Sequence, residues 1–306
     1  MRGRHGALVG ATASGKSALA LALARQDPAW ELVSVDSMQV YRGMDIGTAS
    51  PTAAEREVVP HHLVDVLDPW EDATVAWYQR AARQAIADIE ARGRRALLVG
   101  GTGLYLQAVV DDLEIPGRFP EVRAALEDDP DTAGLHARLA ALDPPAAARI
   151  DPANRRRIVR ALEVTLGSGR PFSSFGPGVH AHPPTDVTLV GLAVDPEALE
   201  RRIVARYEQQ MADGFLDEVR RLVALPQGLS RTAAQALGYK ELIEHLEGRL
   251  PLEEAVDLAV RRTRRFARRQ RAWFRRDPRI TWLDGPAADA PVPGPELLTA
   301  LVRLLS

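Results

Sequence analysis

HGALVGATASGKS, residues 5–17, is the stretch of sequence that decides the fold. Its first part, 5–10, is a short apolar run typical of a buried strand, and residues 16–25 have the Ala and Leu content of a helix packed on a sheet. Between them, GATASGKS at 10–17 matches the pattern G-x-x-x-x-G-K-[ST] in full. A strand, a glycine loop and a helix in this order predict a phosphate-binding loop (P-loop).

The glycine loop has the chemistry that phosphate recognition needs. Glycines let backbone N–H groups converge on phosphate oxygens, and the helix N-terminus adds positive potential. Lys16 supplies a point charge, and the hydroxyl of Ser17 is expected to bind Mg²⁺. The alternative, an ordinary glycine turn that matches by chance, is disfavoured by the strand before it and the helix after it. The predicted phosphate-binding residues are Gly10, Ala11, Thr12, Ala13, Ser14, Gly15, Lys16 and Ser17.

Two further apolar runs, 31–36 (ELVSVD) and 95–100 (RALLVG), predict strands, and residues 74–92 between them have helical periodicity. This alternation predicts an α/β fold, a P-loop parallel sheet flanked by helices, with ligands at the carboxyl ends of the strands. A fourth strand is predicted at 187–194, and 196–276 is almost wholly helical. Residues 285–295 are expected to form a surface linker before a final helix.

Residues 115–182 have a different pattern. Short helices are predicted at 120–128, 132–142 and 154–166, followed by a loop rich in Pro, Gly and His. We interpret this segment as a small all-helical insertion domain. The catalytic core would then consist of residues 1–114 and 183–306.

Composition narrows the function classes. The 306 residues include no cysteine, which excludes disulfides, thiolate metal sites and cysteine nucleophiles and favours a reducing cytoplasm. The seven histidines show no metal-ligand spacing. No apolar run reaches the roughly 18 residues that span a bilayer, so we expect no membrane contact and a cytoplasmic location.

Polar residues follow two of the predicted strands at the edge where a ligand is expected. Asp36 could accept a proton from an incoming nucleophile, and Ser37 and Gln39 could hydrogen-bond a base edge. Thr102, after a Gly-Gly pair, would stabilise charge on a departing phosphate oxygen. The alternatives are that Asp36 caps a turn and Thr102 caps a helix. The Gly-Gly pair stands where a typical P-loop hydrolase has a magnesium-binding aspartate, which disfavours a motor or switch.

The segment 261–276, RRTRRFARRQRAWFRR, carries nine arginines and no acidic residue. Its aromatic residues are spaced as on the buried stripe of a helix. Arginine forks match phosphate geometry and stack on bases, so the segment predicts an RNA footprint, the alternative being a solvated basic face. A second arginine cluster, 155–160, lies in the insertion.

Seven ordered blocks together resemble one family, the tRNA dimethylallyltransferases, also called tRNA isopentenyltransferases. The resemblance spans nearly the whole chain and is specific because the blocks occur in the family's order. The blocks are GATASGKS (10–17), SVDSMQVYRGMDIGTA (34–49), PHHLVDVLDP (60–69), LLVGGTGLYLQA (97–108), RRIVRALEV (156–164), ALGYKE (236–241) and TRRFARRQRAWFRR (263–276).

The resemblance implies a reaction. A dimethylallyl group would pass from dimethylallyl diphosphate to N6 of the adenosine that follows the anticodon in certain tRNAs, with Mg²⁺ assistance and release of diphosphate. The implied partners are the anticodon stem-loop of tRNA and the diphosphate donor, and nothing in the sequence suggests an obligate dimer, so we expect a monomer. The zinc-finger extension of some eukaryotic members is absent, consistent with a bacterial-type form.

The resemblance also implies site residues. Asp36 would take the proton from the adenine amine, Thr102 would steady the bridging oxygen, and Lys16 and Arg206 would hold the diphosphate. Ala11 stands where the family usually has proline, a position that contributes backbone and little chemistry. The implied tRNA contacts are Asp36, Ser37, Met38, Gln39, Thr102, Arg123, Arg156, Arg157, Ile158, Val159, Arg160, Arg269 and Gln270.

Two other functions compete with this interpretation. A nucleotide or small-molecule kinase shares the P-loop architecture and often has helical insertions, but it does not explain the arginine helix. A non-catalytic RNA-binding module with a vestigial loop is disfavoured because Lys16 and Ser17 are intact.

Overall fold

A computed structural model describes residues 5–286 and 294–306. The strands are β1 (His5–Val9), β2 (Trp30–Val35), β3 (His61–His62), β4 (Arg95–Gly100), β5 (Val187–Ala193) and β6 (Thr281–Asp284). They form one sheet in the order β3-β2-β4-β1-β5-β6, and every neighbouring pair is parallel. Helices flank this sheet, so the predicted α/β fold is confirmed.

The helices connect the strands and cover the sheet. They are α1 (Lys16–Gln26), α2 (Ala53–Val58), α3 (Val75–Ala91), α4 (Gly103–Val110), α5 (Pro120–Asp128), α6 (Thr132–Leu142), α7 (Pro144–Ala147), α8 (Arg155–Ser168), α9 (Pro196–Ala212), α10 (Phe215–Val223), α11 (Tyr239–Leu246), α12 (Leu252–Phe274) and α13 (Pro295–Leu305). Two 3₁₀ turns occur at Phe172–Ser174 and Ala233–Gln235.

The central strands are apolar because both faces of the sheet are covered. In β1, Ala7, Leu8 and Val9 are fully buried, with helices α1 and α13 contributing to the core on one face and α3 and α4 to the core on the other. The carboxyl ends of β1, β2 and β4 meet at one edge, where Val9 and Val35 are both in register with Gly100. That edge carries the phosphate loop, Asp36 and Thr102.

The close approach at this edge explains why β4 ends in glycine. A Cβ on Gly100 would lie 2.1 Å from the backbone oxygen of Val35, a clash that only glycine avoids. The Gly-Gly pair stands where a typical P-loop hydrolase has a magnesium-binding aspartate. Its first glycine, Gly100, is also required because β2 and β4 pack closely at this point.

The chain divides into two compact units, one made of the residues up to Val110 and from Pro184 onward, the other of Asp111–Pro183. The second unit is helical and has its own apolar core. Helices α5 to α8 build that core, which includes Leu126, Leu135, Leu139, Ile158 and Leu162.

Sequence reasoning missed β3 and β6, since two and four residues are too short to show a period of two. The linker predicted at 285–295 falls mostly outside the described residues. No helix among residues 5–286 and 294–306 combines the length and apolar character needed to cross a bilayer.

Candidate active site

The phosphate loop leads from β1 into the first turn of α1. Gly15, at the N-cap of α1, has φ +89°, a left-handed conformation that favours glycine. The Lys16 ammonium donates to the backbone oxygen of Ala11 at 3.2 Å, so the lysine folds back along its own loop. The charge of Lys16 thus lies against the backbone of the loop that is predicted to bind phosphate.

Burial controls the charge of Lys16. Desolvation lowers the pKa of its ammonium from 10.5 to about 8, although the nearby carboxylate of Asp36 raises it and Arg206 lowers it further. The site therefore holds two cationic side chains that an anion would stabilise.

Arg206, on α9, connects the phosphate loop to the segment after β2. Its guanidinium donates to the hydroxyl of Thr12 at 3.1 Å and to the backbone oxygen of Gly47 at 3.3 Å. Burial lowers the pKa of this guanidinium, while Tyr207 and Asp36 raise it. The structure thus brings the predicted diphosphate ligand Arg206 to the loop, although 190 residues separate Arg206 from Lys16 in sequence.

Asp36 and Thr102 lie on adjacent strand ends. The Thr102 hydroxyl accepts a hydrogen bond from the backbone N–H of Ser37 at 3.3 Å, and the Thr102 N–H donates to the oxygen of Val35 at 3.1 Å. Asp36 Oδ1 accepts from the N–H of Met38 at 2.8 Å, the turn-capping interaction that was the alternative to proton chemistry. Oδ2 of Asp36 meets no hydrogen-bond donor or cation within the described part of the chain. One oxygen therefore fixes the carboxylate and the other is available.

The side chains of residues 37–39 differ in availability. The Gln39 amide accepts from the Ser34 hydroxyl at 2.8 Å and donates to the backbone oxygen of Ala49 at 3.1 Å. Met38 packs at the border of the apolar cluster beneath α9 to α12. Gln39 thus holds the loop after β2, and Ser37 retains a half-buried hydroxyl for a base edge.

Gln270, on α12, binds protein on both sides. Its Oε1 accepts from the N–H of Thr12 at 2.9 Å and its Nε2 donates to the oxygen of Gly101 at 2.9 Å. The side chain is buried and joins the phosphate loop to Gly101, and the predicted contact of Gln270 with tRNA would require these hydrogen bonds to be given up. Its neighbour Arg269 is exposed, with its guanidinium carbon 5.8 Å from the ring centre of Phe266.

In the insertion, helix α8 presents two kinds of residue. Arg156 and Arg157 are exposed and form no ion pair with any residue that the structure describes. Ile158 and Val159 are 0% and 2% exposed in the core of the unit. Their side chains therefore pack in the core, and the predicted tRNA contacts of Ile158 and Val159 would have to be made without them.

Arg123 and Arg160 share a buried partner that sequence reasoning missed. The carboxylate of Glu163, which is 1% exposed, forms ion pairs with the guanidinium groups of Arg160 at 2.8 Å and Arg123 at 3.4 Å. Arg160 also donates to the oxygen of Pro116 at 2.9 Å. Both arginines therefore neutralise a buried carboxylate, which reduces the charge that they offer to RNA.

A second buried carboxylate, Glu218 on α10, organises the loop that holds Arg206. Its oxygens accept from the N–H groups of Asp45, Ile46 and Gly47 at 3.0, 2.8 and 3.2 Å, and from the hydroxyl of Tyr239 at 2.5 Å. Burial and this carboxylate raise the pKa of Tyr239. No sequence signal marked Glu218, since an acidic residue in an amphipathic helix is usually solvated.

A metal would find few protein ligands here. Residues 5–286 and 294–306 contain no group of three or more His, Cys, Asp or Glu side chains able to hold an ion. Ser17, the predicted Mg²⁺ ligand, is exposed at the first turn of α1.

Comparison with known proteins bears on this site. A family model described as IPP transferase matches residues 39–277, and one described as isopentenyl transferase matches residues 4–63. The tRNA dimethylallyltransferase of Kineococcus radiotolerans is 52% identical over 294 residues, 94% of this chain and 92% of that protein. That of Salinispora arenicola is 53% identical over 293 residues, 93% of this chain and 84% of that protein.

Solved structures agree with these relatives. The tRNA isopentenylpyrophosphate transferase of Bacillus halodurans is 38% identical, with a TM-score of 0.69 over 98% of this chain and 95% of that one. A eukaryotic dimethylallyltransferase acting on tRNA is 26% identical, with a TM-score of 0.76 over 92% of this chain and 73% of that one. The resemblance drawn from the motifs is thereby confirmed, and the chain belongs to the tRNA dimethylallyltransferase family.

Proposed function

We propose that this protein transfers a dimethylallyl group from dimethylallyl diphosphate to N6 of the adenosine that follows the anticodon in certain tRNAs, and releases diphosphate. The names of its relatives support the reaction class. The observation that carries the proposal is the pairing of an anion site, Lys16 with Arg206, and a carboxylate, Asp36, with one uncommitted oxygen at the same sheet edge.

The chemistry follows from these residues. The N6 lone pair attacks C1 of the dimethylallyl group as the bond from C1 to the diphosphate oxygen breaks, and the bonding electrons leave with diphosphate. Asp36 Oδ2 takes the proton released from N6. Lys16 and Arg206 stabilise the negative charge that grows on the leaving group.

Thr102 would donate a hydrogen bond to the bridging oxygen. Because its hydroxyl already accepts from the N–H of Ser37, the hydroxyl proton is free to donate to a departing oxygen. The exocyclic amine is buried in base stacking in RNA, so the adenine has to leave the stack to reach Asp36, and Ser37 is positioned beside the same edge to meet it.

The described residues could take part in binding Mg²⁺ in only one way. Without an acidic cluster among the described residues, the ion would be held by diphosphate oxygens, water and the exposed hydroxyl of Ser17, a ligand set typical of Mg²⁺ at phosphate sites. Bound there, it would neutralise charge on the diphosphate.

We propose two separate RNA-contacting patches, Arg156 and Arg157 in the insertion, and Arg269 with the other unpaired exposed arginines of α12, Arg261 and Arg265, in the core. Their charges are available for phosphates because no ion pair with a described residue engages them, unlike exposed Arg268, which pairs with Glu200. Arg123 and Arg160 are assigned chiefly to Glu163. A protein acting on tRNA in this way works in the cytoplasm, and we propose that it does so as a monomer.

One assay tests the function against its alternatives. The protein is incubated with unmodified tRNA, isoprenyl-labelled dimethylallyl diphosphate and γ-labelled ATP, and the tRNA nucleosides are analysed by mass. Prenylated adenosine is expected. Phosphoryl transfer without prenylation would identify a kinase, and bound but unaltered RNA would identify a binding module.

A further inference from the structure

A cavity with a volume of about 260 Å³ adjoins the phosphate loop. It is lined by residues of the loop, the ends of β5 and β6, and helices α9 and α12. Ala11 and Ser14 of the phosphate loop line it, whereas the four side chains to which we assign the chemistry, Asp36, Thr102, Lys16 and Arg206, do not. The residues that matter below are Ser14, Leu192, Val194, Arg271, Arg275 and Trp282.

Ser14 gives the cavity an unsatisfied polar group. Its side chain is 1% exposed, and its hydroxyl forms no hydrogen bond with any residue in the ranges that the structure describes. Leaving a buried hydroxyl without a partner is costly, so such groups usually mark the place of a water or a ligand. The hydroxyl of Ser14 therefore calls for a polar atom inside the cavity.

Arg271 and Arg275 add positive charge to the same cavity. Arg271 lies in the last turn of α12 and Arg275 is the C-cap of that helix, and neither guanidinium forms an ion pair or hydrogen bond within residues 5–286 and 294–306. Other arginines of this helix behave differently, since Arg262 pairs with Glu241 and Arg264 and Arg268 pair with one glutamate of α9. Two uncompensated guanidinium forks at one opening are suited to a phosphate group.

The remaining walls are apolar. Leu192 and Val194 from the end of β5 line the cavity together with the ring of Trp282, a residue that is 36% exposed. A bare inorganic anion would leave these walls uncovered. A ligand that fills the cavity therefore needs an apolar or planar body beside its phosphate.

We propose that this cavity is a second binding site, which takes a small phosphorylated molecule with an apolar body. Arg271 and Arg275 bind the phosphate, Ser14 hydrogen-bonds an oxygen of the ligand, and Leu192, Val194 and Trp282 contact its body. A second molecule of prenyl diphosphate and a nucleoside monophosphate share this chemistry. The site goes beyond the proposed prenyl transfer and does not require it.

Titration calorimetry with Lys16→Ala protein tests the proposal, because this variant weakens the phosphate loop by removing its ammonium charge and replaces none of the residues that line the cavity. Dimethylallyl diphosphate, AMP and inorganic diphosphate are titrated separately. We expect one of the first two to bind with a stoichiometry of one and at least tenfold more tightly than inorganic diphosphate. Saturation by AMP identifies a nucleotide site, and saturation by dimethylallyl diphosphate identifies a prenyl site.

Two sets of variants in the Lys16→Ala background assign the binding. Arg271→Gln with Arg275→Gln should weaken it at least tenfold, whereas Arg261→Gln with Arg265→Gln, which removes the same charge from exposed positions of the same helix, should not. Ser14→Ala, a smaller change that spares the helix, should weaken binding several-fold, and thermal unfolding confirms that each variant is folded.

The proposal is overturned if none of the three ligands binds Lys16→Ala protein, or if the Arg271/Arg275 and Ser14 variants bind as tightly as the Arg261/Arg265 control. Because the readout is binding and not turnover, failure here leaves the prenyl-transfer assay unaffected, and failure of that assay leaves this one interpretable.

Discussion

The side-chain oxygen of Gln270 lies 2.9 Å from the backbone nitrogen of Thr12, although 258 residues separate the two in sequence. The amide nitrogen of the same side chain donates to Gly101 at 2.9 Å. One residue thus joins α12 to both loops that carry the chemistry, the phosphate loop after β1 and the loop that ends in Thr102. The position of Thr102 relative to the site that binds the leaving group therefore depends on the side-chain amide of Gln270.

We therefore expect Gln270→Ala to impair catalysis indirectly, by shifting the two loops and not by removing a contact with the substrate. Loss of both hydrogen bonds in a buried place should lower the free energy of unfolding by about 1–3 kcal/mol and kcat/KM for the donor by at least tenfold. Gln270→Glu keeps the acceptor for Thr12 and loses the donor to Gly101, so it should be intermediate. Steady-state kinetics and thermal unfolding check this, with Asp257→Ala, a change at an exposed position of the same helix outside the proposed RNA patches, as control. Equal kcat/KM in Gln270→Ala and wild type would contradict the positioning role.

Asp36 is expected to act in the transition state. Asp36→Asn retains an oxygen for the N–H of Met38, so the turn after β2 is preserved while the proton acceptor is lost. We predict that the single-turnover rate of prenyl transfer falls by roughly a thousandfold or more, consistent with the value of general base catalysis. The affinity for tRNA should stay within a few-fold. A single-turnover rate close to that of the wild type would rule out Asp36 as the base.

Lys16 predicts a pH dependence of donor binding. Its pKa of about 8 in the free protein should rise when diphosphate binds, since the anion favours the ammonium form. Binding should therefore take up a proton above pH 8, and affinity should fall as the pH rises through about 8. Calorimetry in buffers of different ionisation enthalpy measures this uptake. Lys16→Ala should bind more weakly and lose this part of the pH dependence, and an unchanged proton uptake in that variant would disprove the assignment.

The same depressed pKa affects stability with a definite sign. Between about 8 and 10.5 the unfolded chain keeps a proton on Lys16 that the folded protein has lost, so the contribution of this residue to stability rises with pH in that window. The difference between wild-type and Lys16→Ala unfolding free energies, measured in urea at several pH values, should follow this direction.

Glu218 provides a further prediction at a distance from the substrates. In Glu218→Gln the amide NH₂ would face the N–H groups of residues 45–47, so we expect loss of roughly 1–3 kcal/mol of stability. Because Gly47 positions Arg206, KM for the donor should rise several-fold while tRNA affinity stays constant. Glu208→Gln, an exposed change of the same charge on α9, is the control. A loss of stability with unchanged KM would show that Glu218 is only structural.

The sequence predicts those parts of this site that a local pattern encodes. The phosphate loop, Asp36 and Thr102 each follow a recognisable strand, and parallel strands bring their carboxyl ends to one edge. It could not predict the hydrogen bonds and ion pairs that Gln270, Glu163 and Glu218 form. Helical periodicity indicates that a position faces inward, but a buried amide or carboxylate is explained only by the distant groups that it meets, and those are set by tertiary packing.

The arginines of α8 show the same limit and supply the last prediction. Sequence treats residues 155–160 as one basic cluster, whereas the structure separates exposed Arg156 and Arg157 from Arg160, which neutralises Glu163. Only the first two should count as phosphate contacts. Since each phosphate contact contributes about 0.7–0.9 to the slope of log K against log salt, Arg156→Ala with Arg157→Ala should flatten that slope by about 1.5.

Filter binding of tRNA over a range of salt concentrations measures this slope, and Arg138→Ala with Arg149→Ala, two exposed arginines elsewhere in the same unit, should leave it unchanged. Arg160→Ala should act differently, because it leaves the buried carboxylate of Glu163 without this partner. The free energy of unfolding should therefore fall. A slope that depends on Arg160 but not on Arg156 and Arg157, in protein shown to be folded, would mean that RNA displaces the ion pair with Glu163 and that the exposed pair lies outside the footprint.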